Sequence, residues 1–329
     1  MEGLSAGILS TGRYVPKRVL TNYDLEKMVD TSDEWIRTRT GIRERHLASS
    51  EENTSDLCVN AARKAMDTAG VKADDIDLVI VATASPDYIV PSTACIVQDK
   101  LGCRRAGAMD LSAGCSGFVY ALDMASRMVV SGGYRYVLIC GAEILSRMVD
   151  WKDRSTCVLF GDGAGAAIIG SVEAGYGLLS SDLGSDGSLG NVLSMPASGV
   201  AEKVTHRAID AGRIFIHMEG SEVFKAAVRH MEETTRAALD KAQLSVGDIS
   251  MLIVHQANDR IIQAVAKRMH VPQEKLWVNV DAYGNTSAAS VGIALDEAVR
   301  AGRIRHGDVV ALTAFGAGLT WGCDMVRWV

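Results

Sequence analysis

The feature that most constrains this chain is that it repeats itself. Residues 63–81, RKAMDTAGVKADDIDLVIV, align without a gap on residues 236–254, RAALDKAQLSVGDISMLIV, at a constant offset of 173. Eight of the nineteen positions are identical: Arg63, Ala65, Asp67, Ala69, Asp75, Ile76, Ile80 and Val81 meet their own kind. The same offset carries Ala121, Leu122 and Asp123 onto Ala294, Leu295 and Asp296. Chance similarity rarely holds register over such a span, and self-similarity at a fixed offset marks a duplicated architecture. The 329 residues are too many for a single typical domain and suit two packed halves, which we place at residues 1–175 and 176–329.

Each copy reads as a helix, an Asp-containing turn and a buried strand, LVIVATA in the first half and MLIVHQA in the second. A loop and a second helix follow. In the first half that helix runs from Cys115 through GFVYALDMASRMVV to a stop at Ser131, Gly132 and Gly133; in the second it follows Asn285 through SAASVGIALDEAVRAG. Strands YVLIC and VVALTAF come next in equivalent positions. Strands alternating with helices predict right-handed crossovers and mainly parallel sheets covered on both faces, an α/β fold. The helix after Cys115 carries only Asp123 and Arg127 as charged residues, so it is expected to lie buried between the halves. The Gly-rich stretch 184–199 reads as a long surface loop.

Charge narrows the function. With 34 Lys and Arg against 40 Asp and Glu the net charge is −6, and no polybasic block is present, which excludes wholesale nucleic-acid binding. The N-terminal MEGLSAGILSTGRYVPK lacks a signal-peptide pattern, and no apolar run approaches the roughly 18 residues that a membrane span needs. We therefore expect no membrane insertion and a cytoplasmic protein. The seven cysteines are irregularly spaced and contain no C-x-x-C pair, which argues against a disulfide framework and a structural metal site.

Three residues stand out as chemistry. Cys115 falls at a helix N-terminus, where the dipole and free N–H groups are expected to lower a thiol pKa and make a nucleophile. The alternative is a small buried core residue. Gly114 and Gly117, in AGCSG, are read as leaving room for backbone and substrate beside the sulfur. His255 ends the strand MLIV, and ligands of α/β folds gather at the carboxyl ends of strands, although a His there can also be purely structural. The duplication places Asn285, in YGNTSAAS, opposite Ser112, three residues before Cys115. One pocket should thus receive Cys115 from the first half and His255 and Asn285 from the second. GDGAGA at 161–166 looks like a shortened dinucleotide fingerprint but runs on into AAIIG as a strand, so close backbone packing explains its glycines better.

On these residues, and on TSDEWIRTRTGI at 31–42, DLSAGCSGF, FGDGAGAA at 160–167, HQAND at 255–259, YGNTSAAS at 283–290 and FGAGLTWG at 315–322, the chain resembles the β-ketoacyl-acyl-carrier-protein synthases III of the thiolase superfamily, along essentially its whole length. The resemblance implies a thiolase-like, duplicated five-layer αβαβα sandwich and a homodimer. It also implies a condensing enzyme that starts fatty-acid synthesis. Cys115 would take an acyl group from an acyl-CoA primer; a malonyl-acyl carrier protein would then lose CO₂, its enolate held by His255 and Asn285, and attack the acyl-cysteine. The N–H groups of Cys115 and Ala317 would form the oxyanion hole. Relatives often have three glycines where this chain has Gly316, Ala317 and Gly318. No metal or other cofactor is needed. The competing readings are a condensing enzyme of polyketide or quinolone type, a Cys-His-Asn thioester or peptide hydrolase, and a non-catalytic acyl-CoA-binding protein.

The resemblance also implies binding positions. Trp35, Arg39 and Arg154 match residues that stack on adenine and hold coenzyme A phosphates, a chemistry that suits an indole face and guanidinium groups. Thr31, Phe224 and Asn258 fall on coenzyme A or pantetheine positions. Gln256, Ala257, Asn258, Asp259 and Arg260 map onto the carrier-protein contact. Independently, Arg260, Lys267 and Arg268 recur at helical spacing and predict a basic face, which an acidic carrier protein would seek or which is simply solvated. Val90 and Phe315 are expected to line the primer pocket. Acetyl-selective relatives commonly carry Phe at the position of Val90, so the smaller side chain predicts room for branched or medium-chain primers.

Overall fold

The computed structural model describes residues 5–329 and builds ten of its strands into two five-stranded sheets. In the first are β1 (Ser5–Tyr14), β2 (Leu78–Ala82), β3 (Gly107–Leu111), β4 (Tyr136–Ile144) and β5 (Asp162–Val172), in the order β1-β5-β4-β2-β3. The second contains β6 (Gly177–Ser185), β7 (Ile249–Val254), β8 (Leu276–Trp277), β9 (Val309–Gly316) and β10 (Thr320–Arg327), in the order β8-β7-β9-β10-β6. The two orders are the same once the halves are superposed in sequence. β4 begins at Tyr136 and β9 at Val309, the offset of the duplication.

Local signals repeat at that offset too. Helix α1 (Asp33–Thr40) belongs to the first half alone, but α2 (Thr54–Ala69) and, beyond α3 (Thr93–Leu101) and α4 (Gly117–Val130), α5 (Gly220–Ala242) share their endings. Gly70 closes α2 at φ +66 and Gln243 closes α5 at φ +57, both left-handed, the conformation that turns the last carbonyls back onto the chain. A single 3₁₀ turn follows each, Ala73–Asp75 and Val246–Asp248, and the third residue's carboxylate accepts the N–H of Lys72 or Ser245. Sequence-local chemistry thus delivers each chain into its buried strand.

α4 and α7 (Ala289–Arg300) form the middle layer. Phe118, Leu122 and Ala125 of α4 and Val291, Ala294 and Leu295 of α7 share one core with Ile80 and Ile139 of the first sheet and Ile253 and Leu312 of the second. α2 and α3 cover the outer face of the first sheet. α5 and α6 (Asp259–Met269) cover that of the second. The result is the αβαβα sandwich. The carboxylates of the middle layer are paired: Asp296 accepts from Thr11, Arg13 and Arg300, and its duplicate Asp123 accepts from Arg127.

The sheets are mixed rather than mainly parallel. β2 pairs parallel with β3 and β4, but β5 runs antiparallel to both β4 and β1, and the second sheet repeats the arrangement. No long crossover helix joins β4 to β5, so the chain turns back where it left the sheet. Gly163 and Gly165 of GDGAGA lie in β5, where a Cβ on Gly165 would come within 2.5 Å of the Gly292 backbone of α7, and one on Gly161, just before the strand, would meet the Tyr283 carbonyl at 2.3 Å, so close packing accounts for them. No helix among the described residues is long and apolar enough to cross a membrane.

Candidate active site

β3 ends at Leu111, and Cys115 sits in the 3₁₀ turn Gly114–Ser116 that leads into α4. A Cβ on Gly114 would lie 2.7 Å from the Ala317 nitrogen, and one on Gly316 would lie 2.3 Å from the Cys115 nitrogen. These glycines let the Cys115 turn and the 315–318 loop touch backbone to backbone. Gly114 thus gives room to that loop's backbone while also lining the cavity. Gly117 is needed for a different contact, because a Cβ there would meet Ala82 at 2.9 Å. Ala317 is not among the residues with left-handed backbone, so alanine replaces glycine there without strain. The N–H groups of Cys115 and Ala317 both act on the Cys115 sulfur.

The thiol's electrostatics differ from the expectation. Burial pushes the Cys115 pKa up to about 11, against hydrogen bonding from the Ser287 hydroxyl and the two backbone N–H groups, and the charge of Glu143 adds to the rise. The helix N-terminus does not overcome desolvation, because Cys115 is only 8 % exposed.

His255 follows β7 directly and is 3 % exposed. Its backbone N–H donates to Thr313 at 2.8 Å, and Nδ1 lies 2.6 Å from the Ser290 hydroxyl on α7. Burial lowers its pKa to about 3, so the imidazole is neutral. Asn285 is held by its N–H to Leu159 at 2.8 Å and by its carbonyl, which accepts from Gly161 at 3.0 Å. Its Oδ1 accepts the Ser287 N–H at 2.8 Å, which turns Nδ2 into the cavity. Ser287 achieves this with φ +48, a conformation that L residues rarely adopt.

Cys115, His255, Asn285 and Ala317 open onto one cavity of about 340 Å³. Its other walls are mostly apolar, including Met148, Leu193, Met195, Met218, Phe224 and Phe315. Leu193 and Met195 come from the stretch read as a surface loop, and together with Met218 they went unrecognised in the sequence. The alternation of Leu193 and Met195 in an otherwise polar segment was the available signal.

The family described as 3-oxoacyl-[acyl-carrier-protein] synthase III matches residues 109–187, and its C-terminal part matches residues 239–328. The β-ketoacyl-[acyl-carrier-protein] synthase III of Caldanaerobacter subterraneus subsp. tengcongensis is 54% identical over 327 residues, 99% of either chain. The chain belongs to the β-ketoacyl-acyl-carrier-protein synthase III family. Crystal structures of relatives agree: that from Aquifex aeolicus has a TM-score of 0.91 at 47% identity, covering 99% of this chain and 100% of its own, and that from Thermus thermophilus has 0.91 at 48%, covering 98% and 99%. As a synthase III it is an acyltransferase, the condensing enzyme that initiates fatty-acid synthesis, with acyl-CoA and malonyl-acyl carrier protein as substrates and no cofactor.

Around the mouth of the synthase III cavity the remaining site residues divide. Two guanidiniums lie near the Trp35 ring, Arg39 at 5.6 Å and Arg154 at 4.9 Å from its centroid. Asn258 caps α6 through Oδ1 and donates its Nδ2 to the Arg39 carbonyl at 3.1 Å, tying that cluster to the cavity wall. Phe224 lines the cavity beneath Arg260, whose guanidinium lies 5.8 Å from its ring. The Thr31 hydroxyl is buried without a hydrogen-bond partner. Ala257 lines the cavity, and the Asp259 carboxylate accepts from Gln263 within α6.

Three expectations need correction. Gln256 is not a surface contact: it is 1 % exposed, donates to the carbonyls of Val254 and Trp277, and accepts from the N–H groups of Asn279 and Val280. Its amide is a clamp between β7 and the segment that carries Asn285. The basic face is weaker than its spacing implied, because Arg268, though exposed, is paired with Glu232 of α5, while Arg260 and Lys267 stand exposed at opposite ends of α6. Val90 does not wall this chain's cavity. It is 83 % exposed, in a loop with Tyr88 and Ile89, so within one chain nothing joins it to the primer pocket. Phe315, 3 % exposed, does line it.

Proposed function

We propose that Cys115 is the nucleophile, His255 and Asn285 the donors that hold the malonyl-derived enolate, and the Cys115 and Ala317 N–H groups the oxyanion hole. The observation that carries this is the shared cavity: three side chains from both halves of the duplication converge there beside two backbone donors. The Cys115 sulfur attacks the primer thioester and expels coenzyme A, with the developing oxyanion between the two N–H groups. The malonyl carboxylate leaves as CO₂, and the enolate oxygen accepts from His255 Nε2 and Asn285 Nδ2. The enolate carbon then attacks the acyl-cysteine carbonyl and returns Sγ as a thiolate. A neutral imidazole suits this work, since the task is to donate a hydrogen bond.

Coenzyme A would stack its adenine on Trp35 with Arg39 and Arg154 on the phosphates, and thread its pantetheine past Thr31, Phe224 and Asn258. The carrier protein would dock on Ala257, Asn258, Asp259 and Arg260, with Lys267 further along α6. The exposed apolar Tyr88, Ile89 and Val90 favour a homodimer that covers them. Coenzyme A thioesters are cytoplasmic metabolites, and we assign the enzyme to that compartment. Mass spectrometry after incubation with acyl-CoA tests the nucleophile: acylation confined to Cys115 and abolished in Cys115→Ala is expected, and labelling that survives the substitution overturns the assignment.

A further inference from the structure

Ser116 occupies the N-cap position of α4, where a serine hydroxyl ordinarily accepts an N–H from the first turn of its own helix. This side chain makes no cap bond. It is fully buried, and its Oγ lies 2.7 Å from the Ala113 carbonyl oxygen and 2.7 Å from Thr320 Oγ1. Thr320 opens β10, and its Oγ1 lies in turn 2.7 Å from that same carbonyl and 3.1 Å from the carbonyl of Ala317. The fold does not demand the serine, since the 173-residue offset puts Ala289 opposite it at the start of α7.

Ser116 Oγ, Thr320 Oγ1 and the Ala113 oxygen thus form a triangle with 2.7 Å sides, served by two hydroxyl protons. Two of its three sides cross from the first half to the second, so two protons within it make at least one bond between the halves in every arrangement. The alternative sends the Thr320 proton to Ala317 and the Ser116 proton to Ala113. That leaves Thr320 Oγ1 against two oxygens at 2.7 Å with no proton between them, which is disfavoured.

Ala113 and Ser116 flank Cys115, and Ala317 and Thr320 bracket the tip of the β9–β10 hairpin. The two donors of the proposed oxyanion hole therefore come from different halves. Their backbones abut at Gly114 and Gly316, a packing that stops the donors from approaching but not from parting. We propose that Ser116 and Thr320 are positioning residues whose hydroxyls clasp the Cys115 turn to the 315–318 loop and hold the Cys115 and Ala317 N–H groups at the separation that one oxyanion needs. Neither residue lines the cavity, so the effect is exerted through the backbone. Such a hole works because its donors are in place before charge develops, and a pair free to drift must be drawn together at the moment of reaction. The clasp serves the steps that place an oxyanion on the carbonyl at Cys115, acylation and condensation. Decarboxylation, whose enolate falls to His255 and Asn285, does not use it.

The inference rests on the reading of Cys115 as nucleophile and of the two N–H groups as its oxyanion hole. Rapid-quench mass spectrometry of Cys115 acylation by acetyl-CoA, beside CO₂ release from malonyl-carrier protein, tests both. Thr320→Val keeps the side chain's shape and removes every bond between the halves in the triangle, so acylation at saturating acetyl-CoA should slow about thirtyfold. Half-saturation by acetyl-CoA and CO₂ release should stay within about twofold of wild type, because the donors act on the transition state. Thr320→Ser should recover most of the rate. Ser116→Ala leaves Thr320 its bond to Ala113 and should cost about threefold or less; added to Thr320→Val it should cost nothing further. Acylation at the wild-type rate in Thr320→Val, or an equal fall in acylation and CO₂ release, overturns the clasp. Failure of the underlying reading looks different: an unacylated Cys115 in the wild-type enzyme overturns the nucleophile, and wild-type acylation in Ala317→Pro, which deletes one N–H, overturns the hole.

Discussion

The Ser290 hydroxyl lies 2.6 Å from Nδ1 of His255, so that end of the imidazole is engaged and Nε2 is the end left for a ligand. Ser290 is on α7 and His255 on the strand end beneath it, so the central helix of the second half positions a ring 35 positions away. With Nδ1 accepting, Nε2 presents a hydrogen to the cavity.

Ser290→Ala should therefore damage decarboxylation more than acyl transfer. Losing the partner leaves buried Nδ1 unsatisfied and frees the other tautomer, at about 1–3 kcal/mol, or about a ten- to hundredfold fall in malonyl-carrier decarboxylation. Acylation of Cys115 by acyl-CoA should change little. Equal loss of both partial reactions would show that Ser290 serves the fold and not the ring.

Docking should depend on Arg260 more than on Arg268. Arg260 is exposed beside the cavity mouth, whereas Arg268 is engaged by Glu232. Arg260→Glu combined with Lys267→Glu should raise KM for the carrier-protein substrate about tenfold and flatten its salt dependence. Arg268→Glu should do so only weakly. Steady-state kinetics over a salt series make the comparison, and a dominant effect of Arg268 would refute it.

The Asp324 carboxyl, on β10, is fully buried with neither oxygen hydrogen-bonded, and burial raises its pKa well above the ordinary carboxyl range. The folded state then holds a proton that the unfolded chain releases above about pH 3.9. Its stabilising contribution is complete below that pH and is lost as pH rises toward the folded-state value. Asp324→Asn is isosteric and cannot ionise, so its unfolding free energy should gain on wild type as pH rises, by about 1 kcal/mol or more between about pH 5 and about pH 8, read from denaturant unfolding at each pH. A constant difference across that range would count against the argument.

The apolar loop gives a test of assembly. Ile89 and Val90 are each 83 % exposed. Ile89→Asp with Val90→Asp should shift the enzyme from dimer to monomer on size exclusion with light scattering, since a buried unpaired carboxylate is not tolerated at an interface core. An unchanged dimer would place the interface elsewhere.

The sequence by itself determined the duplicated architecture and the meeting of Cys115, His255 and Asn285 at one cavity. The 173-residue offset recurs in strand starts, in the left-handed ends at Gly70 and Gln243 and in the Asp-capped turns, because helix caps and hydrophobic periods are local and survive duplication intact. The glycine-rich setting of Cys115 was legible for the same reason. Tertiary structure decided everything that depends on what surrounds a side chain. Desolvation raises the Cys115 pKa where a helix N-terminus alone lowers it, and four distant donors hold Glu143 beside it. Gln256 disappears into backbone hydrogen bonds, Val90 stands in solvent, and Leu193 and Met195 turn inward as cavity walls. Exposure, protonation and pocket shape are set by contacts between residues far apart in the chain, and no local pattern encodes them.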